Sequence, residues 1–560
     1  MEKIKNRERT RAQESSHAIE RLYITMRHLF NRGFYKPMGV SGQTLRDALL
    51  FLRPEIYGSI AEEKLELNGL LYVIDRLPMG IEECRFINLT SAEGYRNSHF
   101  KPIIPKKRRR NCYRIDEEQM NIEITRGRSE IYDILTHLTF LYIESAKILN
   151  TVVITNEGKT NRDWKKLEDA VRLGELTKPQ REIALTHAAN ILGHTFEVLS
   201  NIYDAFAIPE NRDRFLHVIY YLGKLAIDEK FKDEKRAISF TPVLRERLGH
   251  HIHGEIWANK VKRVLKDNGL IGRRIHVVSA NMHSVMNTLF ASVVFQKEIE
   301  EGKDIFKIYE ELSQEENFAR RAKIEEEALK RGMLYVQDES GANINVQIFD
   351  TLKLHHQDPR FQIRDKRKAA VIVVMDYAFG EQAYESMDEL LKPYKVGEKD
   401  IYLNVRSISI MGKAGILEGK KGDIMIPSAH LFEGTADNYP FKNELKKSDF
   451  EGSGIPVYKG PMITVLGTSL QNKDVLRFFK ESTWNVIGLE MEGAHYQKAI
   501  QAASRLRGNI SPLVKLRYAY YASDNPLETG STLASGGLGM AGVKPTYWIT
   551  EKIVEQIFNQ

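Results

Sequence analysis

The chain has 560 residues, of which 42% are hydrophobic and 28% charged, and a net charge of +7. That length exceeds one domain, the composition is that of a globular protein, and the mild charge permits an anionic ligand without pointing to nucleic acid. Two cysteines, Cys84 and Cys112, exclude a disulfide framework and a cysteine-based metal site.

The opening MEKIKNRERTRAQESS is charged and lacks an apolar core, so no secretory signal is expected. The most apolar helical stretch, ILTHLTFLYIESAKIL, contains His137, Glu144 and Lys147 and is too short to span a bilayer. The expectation is a reducing, cytoplasmic setting with no membrane partner.

Ile19, Leu22, Tyr23, Met26 and Leu29 recur at helical spacing, and 131–152, 177–205 and 214–227 continue in that style. Pro179 falls in a first turn, where proline is tolerated. Residues 1–297 are therefore expected as an all-helical region, in two lobes meeting near IPKKRRRN. The run Lys106 to Arg110 has no interleaved aromatics. It reads as a solvated loop, and nucleic acid is not expected as a partner. His250, His251 and His253 lack an HExxH arrangement and read as buried or capping histidines, not as a metal site.

Residues 298–331 are dominated by Glu, Lys and Arg and predict an exposed connecting helix with i,i+4 ion pairs. MLYVQDESGANINVQIFDTL predicts a short hairpin, so 298–365 is expected as a connecting region.

From 366 to 560 the pattern alternates. AAVIVVM, VRSISIM, GDIMIP, PMITVLG, NVIGLE and PLVKLRYAYYA read as strands. GEQAYESMDELLKPY, LQNKDVLRFFKES, MEGAHYQKAIQAASRL and VKPTYWITEKIVEQIF read as helices. The fold class expected here is α/β, with a mostly parallel, helix-covered sheet.

Such sheets bind ligands at the carboxyl ends of their strands. One strand ends at Asp376 and runs on to Glu381. The next ends in a glycine turn, Gly412-Lys413-Ala414-Gly415. The penultimate ends in Glu490-Met491-Glu492, and the last in Ser523-Asp524. Adjacent acids suit vicinal hydroxyls, methionine offers a soft apolar face, and an aspartate exchanges a proton with a ring nitrogen. A glycine turn admits backbone N–H groups close to a phosphate or base. The glycine-rich segment 528–542 follows Asp524 directly and reads as a mobile loop near the site.

The order GKAG, GD with an apolar run, EMEG, then SD resembles the nucleoside phosphorylase and nucleosidase superfamily. Within it, MGKAGILEGKKGDIMIPSAHLFEGTADNY is most similar to AMP nucleosidase. The resemblance covers about residues 366–560. It implies a nucleoside phosphorylase-like domain acting on a purine nucleoside or nucleotide, with no cofactor and a homo-oligomeric state. It implies that Glu492 binds ribose hydroxyls, Met491 packs on the sugar, and Asp524 protonates N7 of the leaving purine. Gly412, Lys413 and Gly415 would border the reacting sugar, and Glu381 or Asp376 would activate or position a water.

Phosphorolytic members place an arginine before the glycine turn, where this chain has Ile410 and Met411. That favours hydrolysis. Leu431 and Phe432 stand where AMP nucleosidases carry an arginine, which leaves Lys413 and Arg406 as cations for a 5′-phosphate. Three of the acids have a second reading. Glu490 suits a helix N-terminus, Asp524 a turn before Asn525-Pro526, and Glu381 a first helical turn. Phosphorolysis, or nucleotide sensing without turnover, are the rival functions.

Overall fold

The structure, a computed structural model, describes residues 2–560 except 109, 355–360, 363–367, 434 and 529–538; the side chains of residues 2–10 also lie outside the description. Most of the glycine-rich segment expected as a mobile loop is thus outside the described residues. The chain divides into two compact units. One comprises 1–125, 130–250 and 469–472, the other 126–129, 251–468 and 473–560. Among the described residues no helix is long and apolar enough to cross a membrane.

The first unit is not all-helical. Its helices, such as Val40–Leu52, Lys178–Leu192 and Arg214–Phe231, accompany a five-stranded sheet. Phe86–Thr90 runs parallel to both Gln119–Glu123 and Ala237–Phe240. Phe34–Tyr35 and Cys112–Arg114 close the edges antiparallel. These strands escaped the sequence because each has five residues or fewer and polar groups sit at their centres. Asn88 Nδ2 donates to Asn121 Oδ1 at 3.1 Å, and the Ser239 hydroxyl donates to Asn88. In this polar ladder Asn88 and Ser239 take the less buried positions of strands too short for their alternation to stand out.

The basic run also departs from the solvated loop expected of it. Arg108 reaches Asp133 through Nε at 3.0 Å and Nη2 at 3.2 Å. Arg110 is buried between Glu130, 3.2 Å away, and Asp133, 3.3 Å away. Despite its burial, Asp133 is held well below the usual carboxylate range by His137, Arg108 and Arg110. The three histidines find separate neighbours: His250 faces Glu246, His251 meets the Tyr384 ring edge-on, and His253 Nδ1 bonds Ser340 O at 2.6 Å.

The second unit begins well before residue 366. Arg274–Ser279 (RIHVVS), inside the region expected to be helical, lies between Ala370–Met375 and Asn404–Ile416, parallel to both. The expected connecting helix is three short ones, Gln296–Glu300, Ile305–Leu312 and Phe318–Lys330. Gly302, at φ +96°, and the Asp304 cap break it. Its apolar stripe, Ile308, Tyr309, Leu312, Ile324 and Ala328, is buried in the core. The hairpin Leu334–Val336 with Val346–Asp350 adds antiparallel to Ala370–Met375.

Ten strands form one sheet among the described residues. Every residue of Ala370–Met375 is buried, as a continuous apolar run predicts for a strand covered on both faces. Burying each such Val or Ile side chain contributes ~1.5–3 kcal/mol. Asn404–Ile416 pairs with Lys515–Asp524, which pairs with Ile424–Phe432. That strand pairs with Val457–Thr464, which pairs with Gly488–Glu490, and this returns to Asn404–Ile416. Five strands thus close a ring, and the candidate residues lie at its ends.

Candidate active site

Asn404–Ile416 continues straight through the expected glycine turn. Gly412, Lys413 and Ala414 pair with Tyr520, Tyr521 and Ala522, and the register shifts only between Ala414 and Gly415. The partner strand runs on to Asp524, so its ladder holds the glycines extended. Gly412 has no positive φ. A Cβ there would stand 3.7 Å from the Tyr377 ring, an ordinary contact, so neither backbone angle nor a clash demands glycine at this buried position. Gly415 is the register partner of Leu489 on one side and of Asp524 on the other. With strands ~4.8 Å apart, the strands ending in Glu490 and Asp524 lie about 10 Å apart at that level.

Asp524 is 6% exposed. Its Oδ1 accepts from the Ser523 hydroxyl at 2.5 Å, and its Oδ2 is buried with no hydrogen-bond partner among the described residues. The following turn is made by Asn525, whose Oδ1 accepts the Leu527 N–H at 3.0 Å. The carboxyl of Asp524 is therefore free of the turn that offered its second reading. Burial raises its pKa, while the Ser523 hydroxyl and the Lys413 and Lys421 ammonium groups pull it down.

Glu492 precedes the helix Gly493–Gln501, and its Oε1 accepts the Gly380 N–H at 3.0 Å. Burial and the neighbouring Glu490 push its pKa up to about 8, against the pull of the Gly380 and Met491 N–H groups and of Lys413. The exposed Lys413 thus acts on both Glu492 and Asp524. Met491 and Leu527, neighbours in sequence of the two acids, pack on one apolar cluster that includes Leu417, Leu431 and Leu489. The structure therefore brings Glu492, Asp524, Lys413 and Met491 together.

Two expected site residues are otherwise engaged. Glu490 is 3% exposed and accepts from the Thr464 hydroxyl and from the N–H groups of Glu492, at 2.6 Å, and Gly493. It anchors the helix start, its second reading, and does not present its carboxyl as a substrate contact. Burial lifts its pKa to about 7. Glu381 stands at the N-cap of Gln382–Leu391, with Oε1 3.2 Å from Arg128 and its N–H donating to Ser129 Oγ at 2.8 Å. Asp376 Oδ1 accepts the Tyr377 N–H at 2.8 Å. Asp376 and Glu492 both act on Tyr496, whose hydroxyl lies 3.0 Å from Ser279 Oγ. Arg406 starts the strand that carries Lys413 and sits far from the acids, so it supplies no cation here.

Sequence reasoning missed Ser279, Tyr496 and Glu433. Ser279 ends the unread strand, and the run RIHVVSAN before a helix was its signal. Glu433 follows Ile424–Phe432, is 1% exposed, and accepts the Leu466 N–H at 3.3 Å. Burial pushes it up to about 8. A hollow of about 470 Å³ in the first unit, lined by Arg181, Asp213 and His217 among others, contains none of the residues singled out from the sequence. Among the described residues no cluster of three or more His, Cys, Asp or Glu suited to a metal is present.

A family model described as a family of unknown function (DUF6909) matches residues 43–301 and 303–559. No curated protein matches the chain. Among solved structures, a 5′-methylthioadenosine/S-adenosyl homocysteine nucleosidase from Campylobacter jejuni is 12% identical, with 52% of this chain and 100% of that one covered and a TM-score of 0.32. A futalosine hydrolase mutant of Helicobacter pylori strain 26695 is 12% identical over 51% and 99%, with a TM-score of 0.30. Isoform 2 of uridine phosphorylase from Schistosoma mansoni is 13% identical over 55% and 87%, with a TM-score of 0.28.

Proposed function

The chain belongs to the family of unknown function DUF6909, and we propose that its second unit hydrolyses the N-glycosidic bond of a purine nucleoside or nucleotide, releasing the free base. One observation carries this reading. Asp524, with a buried and unpartnered carboxyl oxygen, and Glu492 flank one strand end and answer to one cation, Lys413.

In this reading Asp524 holds a proton, because burial disfavours its charged form, and delivers it to N7 of the departing purine. Ser523 fixes the orientation of that carboxyl. The C1′–N bond breaks toward an oxocarbenium-like state, its electron pair going to the protonated base. Ribose hydroxyls donating to Glu492 favour its carboxylate form, its proton passing to solvent as the sugar binds, and the carboxylate places negative charge beside the developing cation. Met491 packs on the sugar, and Gly412 borders it. A water then adds to C1′ and passes a proton to the carboxylate that positions it, which releases it to solvent. Of the two acids expected to position that water, Asp376 is the better placed, since it shares Tyr496 with Glu492 while Glu381 is held by Arg128. Ile410 and Met411 in place of an arginine favour water over phosphate as the nucleophile.

Binding without turnover is the second reading, and the engagement of Glu381 with Arg128 favours it. Release of adenine from adenosine or AMP, followed with and without phosphate, tests the proposal. Release without phosphate supports hydrolysis, a phosphate requirement means phosphorolysis, and nucleotide binding with no release supports the second reading. Homo-oligomerisation and a cytoplasmic setting belong to the same proposal.

A further inference from the structure

We propose that the second unit also carries an anion-binding site at the amino-terminal edge of its sheet, formed by Arg274, Arg406, Lys515 and Arg517, whose ligand is a phosphate-type oxyanion. The strand register assembles it. Asn404 pairs with Arg274, Ser407 with His276 and Lys515, and Ser409 with Arg517. The four cations thus come from the beginnings of three adjacent parallel strands. Arg517 and Asp524 lie on one strand, seven residues or roughly 23 Å apart. The two sites are separate, and this inference stands whether or not the first one turns over a nucleoside.

Arg517 is 1% exposed. Its Nε donates to Gln556 Oε1 at 2.8 Å and its Nη2 to Gln560 Oε1 at 2.7 Å, both neutral amides. Its Nη1 is buried with no partner among the described residues. Arg274 repeats the pattern: Nη2 donates to Gln560 O at 3.2 Å, and Nε is buried without a partner. Among the described residues none of the four cations has a side-chain carboxylate within ion-pair distance; the main-chain oxygen that Arg274 meets belongs to Gln560, the last residue of the sequence. Glu444 acts on Arg517 from farther away and is itself 3.3 Å from Lys442.

His276 lies in the middle, buried, with Nδ1 2.7 Å from Ser407 Oγ. Burial and then all four cations, Arg517, Arg274, Arg406 and Lys515, hold it neutral, down to about 3. Like charges gathered around one imidazole repel one another, and a buried guanidinium N–H without an acceptor is costly. An oxyanion with several acceptor oxygens answers both, and guanidinium groups match phosphate geometry. Arg406 and Lys515 are exposed, which leaves a way in from solvent.

The test is calorimetric titration of the full chain with inorganic phosphate and, separately, with glycerol 3-phosphate, a phosphomonoester without a base, both against chloride at matched ionic strength. Saturable binding is expected. It should weaken at least tenfold in Arg406→Ala/Lys515→Ala, whose side chains are exposed, and persist in Lys395→Ala/Lys399→Ala, which removes equal charge elsewhere. Asp524→Asn should leave it unchanged. Binding of phosphate assigns the free ion as ligand. Binding of glycerol 3-phosphate alone assigns a phosphomonoester. No saturable binding of either anion, or equal binding by Arg406→Ala/Lys515→Ala, overturns the proposal.

Discussion

Leu489 and Asp524 stand on either side of Gly415, each its register partner, one in an antiparallel and one in a parallel pairing. Two strands that end in acids are thereby brought to the same level of the sheet. The helix start beyond Leu489 then turns Glu492 back toward Gly380, whose N–H its carboxyl accepts at 3.0 Å.

Asp524→Asn keeps the shape of the side chain and removes the acid. Base release should fall by ~10²–10⁴-fold, the usual contribution of general acid catalysis. Nucleotide binding, followed by calorimetry, should change little. Undiminished turnover takes Asp524 out of the acid role.

Lys413→Met removes a charge that pulls both Glu492 and Asp524 down. Both carboxyls should then hold their protons to higher pH. Activity that needs protonated Asp524 is lost as pH rises through its folded value, so the alkaline limb of kcat/KM should move upward. An unmoved limb means that Lys413 does not face Asp524 in solution.

Glu490→Ala leaves the Thr464 hydroxyl and two N–H groups without their acceptor. Each orphaned buried donor costs ~1–3 kcal/mol. The variant should melt several degrees lower, with loss of helix at 493–501 by hydrogen exchange. Glu490→Gln should lose less. A fully stable variant with raised KM would instead return Glu490 to the substrate.

Glu433 has an ordinary value of 4.5 when unfolded and about 8 when folded. Between those values the folded chain holds a proton that the unfolded chain has lost, so stability falls as pH rises. The loss is about 1.4 kcal/mol per pH unit for this group, ending near pH 8. Glu433→Gln should flatten that slope in denaturant titrations and gain on the wild type toward pH 8. An identical slope contradicts the burial of the carboxyl.

Arg110→Met removes the buried cation between Glu130 and Asp133 in the first unit, leaving Asp133 to Arg108 and His137 and Glu130 to the Thr125 N–H. Breaking a buried ion pair from one side costs ~3–5 kcal/mol. The expected result is a large drop in urea midpoint, whereas exposed Lys106→Met should be nearly neutral.

The sequence disclosed what repeats over long runs or ends a strand abruptly. AAVIVVM and the EMEG-to-helix junction appear where expected. FINLT and AISF in the first unit did not stand out, because four or five residues are too few for their alternation to be told from the helical stretches around them. RIHVVS was read as helix because the stretches around it are helical, although its burial is that of a central strand. The glycines of GKAG suggested a turn. What keeps them extended is pairing with Tyr520 to Ala522, a contact made by residues a hundred positions away. Glu490 and Glu492 differ by two positions, yet one serves a helix start and the other faces Gly380. Only the direction of each side chain separates them.

The most direct measurement is a crystal structure of the protein with a non-hydrolysable purine nucleoside analogue bound. The account predicts the Asp524 carboxyl within about 2.6–3.2 Å of N7 of the base and the Glu492 carboxyl at the ribose hydroxyls of the same molecule. An analogue seated elsewhere, or touching only one of the two acids, contradicts it.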